Sequence, residues 1–450
     1  YFLVLIGVLL ILLGITLLTQ IAAKGKGIGG KIFCILICII LGVGSFYIGK
    51  VNSAFQKITG SNKKTSSMVV AVKADDNADT LSAAAEYTFG VQYATGGDQT
   101  KSAVKQIEKE LGQNITLQEY SNLGEEAQAL YDGEVDAIIY NSAYSNIIKE
   151  QYSTFTKDTK VIYKHNIVVE IESDTSDESV TKPFAVYLSG IDTNGDITEQ
   201  GRSDVNIVAV VNPTSHQVLL ITTPRDYYVP IPGVSGGQDD KLTHAGIYGV
   251  DVSMQTLEEL YDTDIEFFGR VNFTSMTSVV DALGGLDVES DLEFDTGWES
   301  GAEIHVNEGM NHFDGISALA FCRERQALPD GDNGRGVHQQ AVITAIIKKM
   351  MSPAMLRGAS DIIESVSDGV DTNFTSSQIQ SLIKTQLRTN AKWNIYSVAA
   401  DGTGGTDICY SSGDEELYVT YPDENSVAEI IELNKKVKDG EIIEGSVSTE

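Results

Sequence analysis

The chain has 450 residues, 63 Asp and Glu against 32 Lys and Arg, a formal net charge of −31 and an isoelectric point near 4.4. So acidic a protein is a poor non-specific nucleic-acid binder, because affinity for phosphate backbones comes from Lys and Arg, and it makes no electrostatic clamp on anionic lipid. A hydrophobic fraction of 42% excludes global disorder, and the length admits two or three domains.

The charge is unevenly placed. Residues 1–50 contain no Asp or Glu, and their only bases are Lys24, Lys26, Lys31 and Lys50. Runs 1–19 and 32–47 are apolar. A membrane helix needs about 17–25 apolar residues, so the first run is long enough and the second is at the lower limit. Lys24, Lys26 and Lys31 lie between them, and positive loops stay cytoplasmic, which puts the acidic body outside the cell. The expectation is a transmembrane hairpin over 1–50 in the cell membrane. The numbering is read as starting within a longer protein, after one more membrane helix.

Residues 51–66 are polar and read as a juxtamembrane linker. Over 67–163, strand patterns (68–72, 115–120, 135–140) alternate with helix patterns (80–91, 102–111, 124–131, 143–152), which predicts a small α/β accessory domain. Residues 164–182 begin strand-like and turn acidic and serine-rich, as at a domain junction. A larger α/β domain spans 183–425. Its strands are expected at 184–191, 205–211 and 218–223, with helices at 243–261, 274–283, 336–351 and 376–388 and late strands at 394–398 and 417–420. Residues 426–450 read as a polar, frayed tail.

The chemistry gathers at strand ends. The turn at 212–217 is short enough to make the strands flanking it an antiparallel pair. With Val211 opposite Val218, Asp204 falls opposite Arg225. If strand 184–191 lies beside them, Asp192 joins the same sheet end, and Arg202 projects with Asp204 in extended chain. The segment Phe321–Cys322–Arg323–Glu324–Arg325, read as extended, puts both arginines on one face and Cys322 and Glu324 on the other. Arg335 stands at the mouth of a helix, where Gln339 and Ile343 share its face. Adjacent guanidiniums are costly unless they meet anions. A carboxylate pair suits Mg²⁺, with Mn²⁺ as the alternative. Arginines bind phosphate oxygens bidentately and bear the charge of a leaving phosphate. The set points to a phosphoester or pyrophosphate substrate; internal Arg–Asp bridges are the competing reading.

No CxxC or Cys/His cluster suggests zinc. Cys34 and Cys38 read as apolar filler, and the compartment would permit a Cys322–Cys409 disulfide. Lys241 and His244 begin a helix, with His244 read as packed or capping rather than as a base, and His338 is placed on a helix surface. No G-x-S-x-G elbow supports a serine hydrolase.

Five ordered segments carry a resemblance: GRSDVNIVAVVNP, ITTPRDYYVPIPG, DDKLTHAGIYGV, FFGRVNFTSMTSVVDALGGLDV and FCRERQALPDGDNGRGVHQQAVITAIIKK. Over roughly 183–351 the chain resembles the LytR-CpsA-Psr (LCP) family of Gram-positive bacteria, and the membrane pair with the extra domain is similar to its CpsA-like capsule branch. TTPRD stands where many relatives have SIPRD, with the PRD core intact. The resemblance implies an α-β-α layered catalytic domain with a mixed central sheet and an apolar tunnel for a polyprenyl chain. It implies a phosphotransferase that moves a glycopolymer, capsular polysaccharide here, from a polyprenyl-pyrophosphate carrier to peptidoglycan. By motif position, Asp192 and Asp204 would hold Mg²⁺. Arg202, Arg225, Arg323, Arg325 and Gln339 would bind pyrophosphate, with Arg335 in support. Asp332 would do acid–base or arginine-orienting work beside Arg225 and Asp204. The implied partners are the membrane, the lipid-linked glycopolymer, the peptidoglycan acceptor and the capsule-synthesis machinery, with no nucleic acid. The alternatives are a non-catalytic polyprenyl-lipid-binding regulator of capsule synthesis and a hydrolase that releases polymer.

Overall fold

The apolar runs become the strands of two sheets in the computed structural model, which describes residues 11–12, 14–16, 18, 21, 63–170, 179–191, 197, 200–329, 332–350, 352, 369–413, 415–444 and 447–448. The chain divides into Tyr1–Gln56 and Lys57–Glu450. The expected membrane hairpin lies almost wholly outside the described residues, and no described helix is long and apolar enough to cross a membrane.

The first sheet holds β1 (Lys63–Lys73), β2 (Thr88–Gln92), β3 (Thr116–Tyr120), β4 (Ala137–Asn141) and β5 (Thr159–Glu170), in the order β3-β2-β4-β1-β5. Helices α1 (Gly97–Leu111), α2 (Leu123–Asp132) and α3 (Ser145–Gln151) connect them. The helix expected over 80–91 is a single 3₁₀ turn, Leu81–Ala84, followed by β2. Thr88, Phe89 and Val91 are β-branched or aromatic residues that fit a pleated surface, and parallel pairing of β2 with β3 and β4 outweighs local helix propensity. The strand-like start of the expected junction at 164–182 is the continuation of β5.

The second sheet is built on β6 (Phe184–Ile191), β7 (Ser203–Asn212) and β8 (Gln217–Thr222), successive antiparallel neighbours. Asn212 shapes the β7–β8 turn by accepting from the N–H groups of Thr214 and Ser215 at 2.9 and 3.1 Å. Helices α4 (Leu242–Tyr248) and α5 (Val250–Tyr261) follow. They replace the single helix expected over 243–261: Gly249, at φ 138°, breaks it where an added Cβ would strike Asp251. Then come β9 (Phe267–Asn272), α6 (Phe273–Ala282), β10 (Leu286–Ser290), β11 (Gly309–Phe313), α7 (Gly315–Arg323), α8 (Asp332–Met350), β12 (Val370–Thr372), α9 (Ser376–Thr389) and β13 (Asn394–Ala399). The order β12-β9-β6-β7-β8-β13 has β9 parallel to β6 and β13 parallel to β8, so the sheet is mixed.

Alternation along β7 covers both faces. Val208 and Val210 pack with Tyr187, Leu219 and α5 (Leu257, Tyr261). Ile207 and Ala209 pack with Phe184, Leu220 and Phe267, and α8 and α9 contribute Ile343, Ile347 and Leu382. Helices therefore sandwich the sheet, an α-β-α arrangement. The two sheets' layers also share one apolar cluster, in which Val69, Leu130, Ile138 and Phe155 meet Ile231, Ala245, Ile247 and Val252.

The C-terminal segment corrects the reading of 426–450 as a frayed tail. After the hairpin β14 (Gly402–Ile408) and β15 (Glu416–Pro422), helix α10 (Glu424–Asp439) is capped by Asp423, which accepts from the N–H groups of Asn425 and Ser426 at 2.9 Å. Ile430, Leu433 and Val437 fall on one helical face and pack onto the Val208 side of the sheet. A short strand β16 (Val447–Ser448) then pairs with β13. The polar composition of the segment conceals that narrow stripe. Cys322 and Cys409 are buried thiols in different clusters, so the disulfide between them is not formed.

Candidate functional site

The β7–β8 register places Val211 opposite Val218 as expected, and beyond the paired residues Arg225 Nη1 donates to Asp204 Oδ1 at 3.0 Å. Thr243 Oγ1 donates to the same oxygen at 3.4 Å, and the Thr243 N–H donates to the Arg225 carbonyl at 2.8 Å. The start of α4 is thereby bound to the PRD turn. Arg225 Nε also lies 3.5 Å from Asp226 Oδ2, and Asp226 Oδ1 lies 3.5 Å from Lys241 Nζ. An internal Arg–Asp bridge is thus present, but it is part-exposed and opens on a cavity. Ile191, the last residue of β6, pairs with Ser203 at this sheet end; the expected Asp192 lies outside the described residues.

The extended reading of 321–325 is corrected. Asp314 caps α7 by accepting from the Ser317 N–H at 2.8 Å, and the helix runs through Arg323. Glu324 then turns the chain out of the helix, so Arg323 and Arg325 come together as a helix end and the turn after it, not by strand alternation. Glu324 is 2% exposed. Its Oε1 accepts from the N–H groups of Arg325, Gln326 and Ala327 at 2.7–2.9 Å. Its Oε2 accepts from the Gly297 N–H at 2.8 Å and Ser300 Oγ at 2.9 Å. Burial pushes its pKa up, but these donors outweigh burial and hold the carboxyl below its ordinary range.

Both clusters open into one cavity of about 1040 Å³ between the central sheet and helices α8 and α9. Asp204, Arg225, Arg323, Arg325, Arg335 and Gln339 all line it. Arg202 precedes β7 but is not among the lining residues. Asp332 opens α8, and its side chain is outside the described set. The walls are polar at one end and apolar at the other. Along β6 the lining runs from Phe184 to Gly190, about 20 Å. Along α8 it runs from Arg335 and Gln339 through Ile343 and Ile347 to Met350, about 22 Å. The dipole of α8 favours anions at the arginine end. Ala209, Val218, Leu382 and Trp393 belong to the greasy end.

An arginine-rich head and a hydrocarbon-lined body suit an amphiphile with an anionic group and a long apolar chain. Asp204 offers a hard oxygen donor at the polar end, which fits one ligand of a divalent cation. Among the described residues, no three or more His, Cys, Asp or Glu side chains gather as a complete ligand set.

Other placements follow from packing. His338, expected on a helix surface, is buried and stacks on Phe321 with centroids 3.9 Å apart, and burial lowers its pKa. It faces the small cluster around β10 and β11 rather than solvent. His244 is fully buried with Nδ1 2.7 Å from Asp240 Oδ1 and 2.9 Å from Ser411 Oγ, a packed residue as expected. Burial pushes the Cys322 thiol up to about 12, so it is no nucleophile at neutral pH. Glu324 is what the sequence reading missed. Its role depends on Gly297 and Ser300, more than twenty residues away, and its only local signal was a carboxylate set between two arginines.

The model of the LytR_cpsA_psr family matches residues 138–434, from within β4 to within α10. A protein of Bacillus cereus (strain AH820) named polyisoprenyl-teichoic acid–peptidoglycan teichoic acid transferase TagU is 34% identical over 253 residues, 56% of this chain and 77% of that protein. A protein of the same name from Enterococcus faecalis (strain ATCC 700802 / V583) is 36% identical over 203 residues, 45% of this chain and 65% of that protein. The crystal structure of gbs0355 from Streptococcus agalactiae superimposes with a TM-score of 0.51 at 24% identity, over 61% of this chain and 94% of that one, a likeness of fold. With a match spanning well over half its length, and with four of the five motif segments lining one cavity, the chain belongs to the LytR_cpsA_psr family.

Proposed function

We propose that this protein is a membrane-anchored phosphotransferase, facing outward, that moves a glycopolymer from a polyprenyl-pyrophosphate carrier to peptidoglycan. The observation that carries the reading is the two-part cavity, arginines at one end and about 20 Å of apolar wall at the other. The transferase names of the relatives support the reaction class. Capsular polysaccharide is the polymer we favour, from the similarity to the capsule branch.

In this reading the polyprenyl chain lies along β6 and α8, and its pyrophosphate meets Arg225, Arg323, Arg325, Arg335 and Gln339, with Arg202, two residues before Asp204, in the same role. An acceptor sugar hydroxyl attacks the sugar-linked phosphorus. The new bond is O–P, the bond to the polyprenyl phosphate breaks, and the hydroxyl proton passes to a carboxylate, Asp332. Guanidiniums bear the charge of the departing phosphate. Mg²⁺ bound at Asp192 and Asp204, with Mn²⁺ as the alternative, would supply further charge neutralisation.

Transfer of lipid-linked polymer to peptidoglycan by the purified full chain tests this. Arg225→Ala and Arg323→Ala should each slow transfer by about 10²–10³-fold while still unfolding cooperatively on heating. Undiminished transfer by both variants would sink the mechanism. Wild-type protein that binds the lipid without turnover would establish the regulator instead. Loss of transfer in chelator, restored by Mg²⁺, tests the metal.

A further inference from the structure

Trp298 is the most exposed large hydrophobic side chain among the described residues, at 76%. Exposure alone marks nothing, but an indole fixed on a rigid turn beside an arginine-lined cavity presents a flat aromatic face to whatever the cavity's ligand carries outward. Its turn is not loose. Trp298–Ser300 form one 3₁₀ turn, and the buried Glu324 carboxylate accepts from Gly297 on one side of Trp298 and from Ser300 on the other. The other oxygen of Glu324 holds the backbone that carries Arg325. Thr296 Oγ1 closes the loop behind by donating to the Ala302 carbonyl at 2.7 Å. At Gly301, φ 104°, the loop backbone passes so close to Arg323 that an added Cβ would lie 3.3 Å from Nη1. Gly297, Glu299 and Ser300 line the cavity with the arginines, while the indole between them faces out. A single buried carboxylate thus fixes the aromatic face and the arginine pair as one unit.

Resting on the functional reading above, we infer that Trp298 is a stacking platform for a pyranoside ring joined to, or approaching, the phosphate at Arg323 and Arg325. One face of a pyranose is a set of weakly positive C–H groups, which suits the electron-rich face of an indole. Beside it, Gln326 Nε2 donates to Glu299 Oε2, and both residues line the cavity. Glu299 disfavours a further phosphate there and accepts from hydroxyls, so the neighbouring ligand is a neutral polyol rather than more anion. The ring comes from the donor polymer or from the peptidoglycan acceptor.

Equilibrium binding to the full chain separates these sources, with three probes: sugar-free polyprenyl pyrophosphate, a lipid-linked saccharide and a soluble peptidoglycan disaccharide. Trp298→Ala should lose about three- to tenfold in affinity for a sugar-bearing probe. It should bind the sugar-free lipid as wild type does, and Trp298→Tyr should restore most of the loss. Loss confined to the lipid-linked saccharide assigns the donor ring, and loss confined to the disaccharide assigns the acceptor. Equal loss for the sugar-free lipid, or no loss with any probe, overturns the inference. So does quenching by brominated phosphatidylglycerol in sugar-free nanodiscs that disappears in Trp298→Tyr, which would make the indole a membrane contact. If the wild type binds saccharide through Trp298 but transfers nothing, the proposed reaction fails and this inference stands.

Discussion

Two buried glutamates have pKa values shifted in opposite directions. Glu324 meets five donors, of which Ser300 is itself a buried residue, and Glu324→Ala removes their acceptor, a loss of about 1–3 kcal/mol in urea unfolding. Because its folded pKa is depressed, its stabilisation is complete above the ordinary glutamate range and is lost as pH falls through the folded value. Glu324→Gln should therefore flatten the acid limb of a stability–pH curve. Glu126, on α2, is 1% exposed; burial raises its pKa well above the ordinary value, and the Ile139 N–H only partly offsets this. The folded state then holds a proton that the unfolded state releases, so stability declines as pH rises above the ordinary glutamate range. Glu126→Gln should remove that slope and leave the protein more stable than wild type at pH 7, read from urea midpoints at pH 5 and 7. The pairing of Asp204 with Arg225 was legible because a hairpin register fixes partners by arithmetic. The Glu324 clamp was not, since its partners are set by how a distant loop returns.

Elements were legible where periodicity was strong. Strands β6, β7 and β8 are nearly continuous apolar runs buried on both faces, and they fall within two residues of their expected bounds. Helix α10 was hidden because its apolar stripe is narrow, Val427, Ile430, Leu433 and Val437 amid charged residues. The α7 helix end at Arg323 was hidden because a short, strongly apolar run fits strand and helix alike. The stripe of α10 gives a test: Ile430→Ala, at a fully buried position against the sheet, should cost about 2–4 kcal/mol in chemical denaturation. A change within ±0.5 kcal/mol, the usual result for surface sites, would return the segment to the status of a tail.

The molecule as a whole sets charge against hydrocarbon along one axis. The −31 net charge says nothing of this, because the site consists of a minority of arginines gathered at one end of one cavity. Ile343 lies on the α8 wall beyond Gln339. Ile343→Trp should obstruct the apolar end, cutting affinity for a long-chain polyprenyl phosphate at least about tenfold, a loss of 1.4 kcal/mol, while a short-chain isoprenyl pyrophosphate binds as before; isothermal titration with the two lipids reads the difference. The cavity's division has a practical corollary for anyone handling the protein. A surfactant monomer is itself a polar head on an alkyl tail, and at micellar concentrations it vastly outnumbers any lipid substrate. Alkyl detergents should therefore act as competitive inhibitors whose potency grows with tail length, and assays in lipid discs should report the higher activity.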